Sequence, residues 1–159
     1  MATLKFKGLE ECENQLIKLQ NISRTCIGEA IYEGAKEIAD AVKQATQNLP
    51  VDNRIARSGE MLHGVSTLQK QGLIESFGVA KMRDDNGFLN VKLGFDGYNN
   101  VHTAMYPNGQ PNAMIARSVN SGTSFRQKIP FVDSTVRAKK SACEAAIKKK
   151  FDEVLERKL

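Results

Sequence analysis

From Ile27 to Leu49 apolar residues recur at three- and four-residue spacing, through Ile31, Ile38, Val42 and Ala45, and Pro50 follows immediately. That spacing places one apolar stripe on a helix. Proline lacks the amide hydrogen the helix needs and biases the preceding residue toward extended geometry, so the helix stops by Leu49. Asn21 or Ser23 is the expected N-cap. Upstream, Leu4-Lys5-Phe6 alternates like a short strand, and after Gly8 the positions Leu9, Cys12, Leu16 and Leu19 mark a first helix. The helical N-terminal part is thus expected as two helices within residues 1–50.

Residues 53–71 hold Arg54, Arg57, Gly59, Gly64 and Lys70 with few periodic apolar positions, which predicts a long surface loop. A β-hairpin is predicted over 73–95. Phe77 and Val79 alternate, Asp84-Asp85-Asn86-Gly87 forms a turn, and Leu89, Val91, Leu93 and Phe95 share one face. Turn chemistry accounts for those acids better than calcium, because the alternating oxygen ligands and closing Glu of a calcium loop are missing. Residues 97–112, rich in Asn, Gly and Pro, are a second loop. A short helix over 113–119 ends at Gly122, and a long C-terminal helix runs from about 133 to 158, carrying Val136, Cys143, Ile147, Phe151 and Val154 on one face.

The chain of 159 residues, 41% hydrophobic, suits a single α+β domain, with the helices on one face of a small, mostly antiparallel sheet. Cys12, Cys26 and Cys143 fall at helical positions beside apolar neighbours, which predicts reduced, buried thiols. No apolar run reaches membrane-spanning length, so a cytoplasmic protein without membrane contact is expected. His63 and His102 sit apart in polar loops, with no nucleophile elbow, metal-ligand spacing or phosphate-binding glycine loop beside them. Neither catalysis nor a cofactor is expected. The net charge of +5 is C-terminal: from Arg126 to Leu159 ten Lys and Arg face five Asp and Glu. Arg126, Lys128, Arg137, Lys139, Lys140, Lys148, Lys149 and Lys150 are therefore candidates for weak, nonspecific contact with DNA phosphates or an acidic partner, beside the plainer reading of a solvated helix face.

Four short motifs stand in order along the chain: Pro50-Val51-Asp52; Gly72-Leu73-Ile74-Glu75-Ser76-Phe77; Ser121-Gly122-Thr123; and Pro130-Phe131-Val132. Together they resemble the neck and tail-completion proteins of tailed bacteriophages, the gene-product-ten-like tail components. Asn120 stands where an acidic residue is common in that family. In it the glycine–leucine–serine motif opens the central strands. The resemblance implies a structural virion protein of the head-tail junction, active by assembly rather than turnover. It implies a homo-oligomeric ring that meets neighbouring neck or tail proteins on the connector side and the tail-tube side, built in the host cytoplasm and retained in the virion. The loops 53–71 and 97–112 and the hairpin edge are the expected contact surfaces. Gly122, Thr123, Pro130 and Phe131 are expected to position the C-terminal helix. The competing reading is a small basic protein that binds DNA through that helix.

Overall fold

The computed structural model describes residues 9–159, so the Leu4–Phe6 strand lies outside the described residues. The fold is α+β. Helix α1 (Leu9–Gln47) is followed by α2 (Thr67–Ser76), strands β1 (Phe77–Val79), β2 (Arg83–Asp85), β3 (Phe88–Asn90) and β4 (Leu93–Phe95), then α3 (Asn112–Ser121) and α4 (Phe131–Lys158).

The two expected N-terminal helices are one continuous helix of 39 residues, roughly 58 Å long. Asn21-Ile22-Ser23 does not break it, because Asn and Ser cost only a few tenths of a kcal/mol inside a helix and neither proline nor a helix-stopping glycine stands there. Thr25 Oγ1 donates to Asn21 O at 2.9 Å, so the hydroxyl bonds back within the helix instead of starting a new one.

Helix α4 lies against α1 and runs the opposite way. Val132 and Val136 share a cleft with Ile38 and Val42, Ile147 and Cys143 meet Gly34, and Arg157 reaches Glu29 at 3.1 Å near the far end. At Gly34 the helices touch so closely that a Cβ would stand 2.4 Å from Ile147 Cγ1. Each helix thus supplies the other's main cover, and the sheet is a fringe rather than a platform. Strands of three residues offer too little face to carry two long helices.

A second packing centre joins segments far apart in sequence. Leu49, Val65, Leu73, Ile115, Ala116, Val119 and Phe131 are buried together, with Phe95 and Ile129 against them. Phe95 lies 5.0 Å from Phe77 and 6.0 Å from Phe131 between ring centroids, which connects the hairpin to the start of α4.

The hairpin forms with Asn86 and Gly87 at positive φ in its turn, as a two-residue turn of this kind requires. Two boundaries differ from expectation. Residues 73–76 are the last turn of α2, so the Gly72–Ser76 motif is helical and does not open a strand. Ser66 and Gln69 form a reciprocal capping box that launches this helix, at 3.2 and 3.0 Å, and Leu73 turns into the core. The ladder is also split: Phe77 to Val79 pair with Phe95 to Leu93, and Arg83 to Asp85 pair with Asn90 to Phe88. Cys26 is buried and Cys143 half-buried, but Cys12 is exposed, because nothing among the described residues covers that part of α1.

Candidate assembly surfaces

Pro50, Val51 and Asp52 leave α1 and immediately pair with the end of the next segment. Val65 N donates to Pro50 O at 3.1 Å and Asp52 N to Val65 O at 2.8 Å. Gly64 makes this approach possible, since a Cβ there would stand 2.1 Å from Pro50 O. The Asp52 carboxylate accepts from Arg54 Nε at 2.9 Å, from an Arg54 terminal nitrogen at 2.8 Å and from His63 N at 2.9 Å. The Arg54 side chain first, then the His63 amide, hold its pKa far below the usual carboxylate range.

The expected 53–71 loop is therefore shorter than predicted and tied at several points. Asn53 bonds Thr67, the Leu62 amide donates to Phe125 O at 2.8 Å, and Gln127 N donates to Leu62 O at 2.9 Å. These bonds hold 60–66 beside 123–127, and α2 takes over at Thr67. The 97–112 loop is closed in the same way: Asn99 N donates to Gln110 O at 2.9 Å and the Asn99 carboxamide oxygen accepts from Val101 N.

Gly72 packs under Asn99 and Asn112, and Ser76 Oγ reaches only the Leu73 carbonyl at 3.5 Å. Gly122 has φ 76 and ends α3 with its amide on Ser118 O; Thr123 N then donates to Arg126 O at 2.9 Å. Pro130 precedes α4, and Phe131 is its first residue, two positions earlier than expected, and part of the core. The motif residues thus work within the chain, placing α2, α3 and the start of α4 around one centre.

Two contributors carried no clear sequence signal. Asn120 Oδ1 accepts from Val132 N and Asp133 N, both at 3.1 Å, so a side chain from α3 caps α4. Arg126, counted in sequence among the phosphate-facing cations, is buried. It donates to Ser118 Oγ and Gln69 Oε1, both at 3.1 Å, and burial pushes its pKa down. An arginine flanked by Lys128 and Arg137 reads as surface in sequence; only the fold reveals that it bridges α2 and α3.

Lys139, Lys140, Lys148 and Lys149 are exposed and Lys150 half-buried. At about 100° per residue, Lys139 and Lys150 share one side of α4, while Lys140, Lys148 and Lys149 are turned away from Lys139 by about 100°, 180° and 280°. Lys149 also lies 4.0 Å from Glu153. The cations do not converge on one stripe.

The cleft between α1, the hairpin and α4, about 340 Å³, is lined by Ile38, Val42, Phe77, Leu93, Phe95, Val132 and Val136, with Arg117 its one charged wall residue. Among the described residues no group of three metal-ligating side chains forms, and no helix is long and apolar enough to cross a membrane. Among the described residues, and apart from the terminal Leu159, the barest large apolar side chains stand on the segments expected to make contacts: Ile55 at 87% exposure, Met105 at 79%, and Phe88 at the hairpin tip at 78%. Comparison with protein families, curated proteins and solved structures finds no match to the chain.

Proposed function

We propose that this chain is a structural subunit of the head-tail junction of a tailed phage, a prophage or a phage-tail-like particle, acting by assembly into a ring that meets a neck protein on one side and a tail protein on the other. The reading rests on the ordered sequence motifs, and one structural observation supports it. The loops around Ile55 and Met105 and the hairpin tip at Phe88 are closed by backbone bonds yet present bare apolar side chains. Such pre-ordered apolar tips suit protein contact, because little flexibility is lost on docking. Three tips pointing from different segments offer the two unlike surfaces a cyclic ring needs. The scatter of lysines around α4 speaks against a DNA-binding helix. The cleft between α1, the hairpin and α4 is apolar and brings no convergent reactive groups together.

The test is solution mass by light scattering after size exclusion, at low and high salt, with electron microscopy of any large species. A discrete multi-subunit ring is expected. A species no larger than a dimer at all concentrations, retained on linear DNA at low salt, would overturn the reading.

A further inference from the structure

Helix α4 covers α1 only as far as its own last turn, where Arg157 meets Glu29 and Val154 is buried. Beyond that level the hairpin contributes Met82 against Gly28 and Asp84 to Arg24, and then stops. From Glu10 to Asn21 every residue of α1 is exposed. This arm extends about 20 Å as helix. Its exposed face is not polar: Leu16, Leu19 and Ile17 are 61%, 52% and 47% exposed.

Leu9, Cys12, Leu16, Leu19, Ser23, Cys26 and Ala30 follow one alternating three- and four-residue step, the seam spacing of paired helices. Cys26 and Ala30 on that seam are buried, whereas Cys12, Leu16 and Leu19 are bare. A helix of this length with no packed face is marginal in water, so the arm calls for a cover that continues the one α4 supplies.

Charge selects the cover. The arm begins with Glu10, Glu11 and Glu13 and ends toward Lys18 and Arg24, while the last turns of α4 mix Asp152, Glu153 and Glu156 with Arg157 and Lys158. A second arm lying parallel would set three carboxylates beside the same three. An antiparallel arm sets them level with Arg24 of the first copy instead, and runs in α4's own direction along the seam.

We propose that the α1 arm docks antiparallel onto the arm of a second copy of this chain, making a two-fold contact. Leu16 of one copy packs on Leu19 of the other, and Cys12 faces Ser23. The contact is independent of the ring reading, since two arms pair whether or not other surfaces close a ring.

The test is Ser23→Cys, oxidised mildly beside the wild type, with the linkage mapped by mass spectrometry. A covalent dimer is expected in which Cys12 of one copy is joined to the introduced thiol at position 23 of the other, with no Cys12–Cys12 dimer from the wild type. A Cys12–Cys12 dimer, or a Ser23→Cys chain that stays monomeric at about 100 µM, overturns the proposal. Leu16→Glu with Leu19→Glu, both at exposed positions, should weaken dimerisation at least about tenfold; unchanged dimerisation also overturns it. A cross-linked pair without rings would defeat the ring reading alone, and rings without the cross-link would defeat this proposal alone.

Discussion

Within α1, the stretch from Cys26 to Thr46 and the stretch from Glu10 to Ile22 share apolar spacing and differ in what lies on it. The first buries Cys26, Ala30, Ala39, Val42 and Thr46. The second leaves Leu16 and Leu19 in solvent. Periodicity records which side of a helix wants cover, but it does not record whether the cover comes from the same chain. An intrachain seam can use small residues because its partner is held at one distance; Gly34 against Ile147 shows that fit. The arm carries leucines, which suit a partner that arrives from outside.

The sharpest way to break this contrast is to cut equivalent side chains in the two kinds of setting. Leu73→Ala, in the fully buried centre, should lose roughly 2–5 kcal/mol in urea unfolding, whereas Leu19→Ala, measured in dilute protein, should stay within about 0.5 kcal/mol. A comparable loss at Leu19 would mean that the arm is packed within its own chain. Gly34→Val tests the packed half of α1 directly. Overpacking against Ile147 should cost about 1–3 kcal/mol, and the branched side chain recovers little through helix propensity. Asn120→Ala removes the borrowed cap of α4 and should lower unfolding free energy by about 1 kcal/mol, while Asn120→Asp should restore most of it.

The smallest expected effect concerns acid. The Asp52 pKa is lowered in the folded chain, so its contribution is fully present above the ordinary carboxylate pKa of about 3.9 and is lost as pH falls through and below that value. Asp52→Asn should therefore flatten part of the stability decline below about pH 4 and leave the slope near neutrality unchanged. An unaltered acid limb would show that the exposed Arg54 partner adds nothing in solution.

Much of the architecture was legible in the residues. The stop of α1 before Pro50, the hairpin turn at Asn86-Gly87, the end of α3 at Gly122 and the long last helix all follow from local backbone chemistry. The continuity of α1 through Asn21-Ile22-Ser23 was hidden because cap-forming residues are also tolerated inside helices. The helical state of Gly72–Ser76 was hidden because Ile74, Phe77 and Val79 suit a strand, and the capping box at Ser66 and Gln69 decides otherwise. The surfaces were less legible. Burial of Arg126 depends on Gln69, 57 residues away, as well as on Ser118, and exposure of Leu16 and Leu19 depends on where α4 ends. Neither is written in a local pattern.

Amide hydrogen exchange, followed residue by residue in dilute and in concentrated protein, tests the contrast most directly. The amides from Cys26 to Gln47 should be protected at both concentrations, and those from Glu13 to Ile22 only in the concentrated sample. Equal protection of the arm at both concentrations would show that it packs within its own chain, and equal exposure at both would show that no second copy covers it; either result would contradict the account.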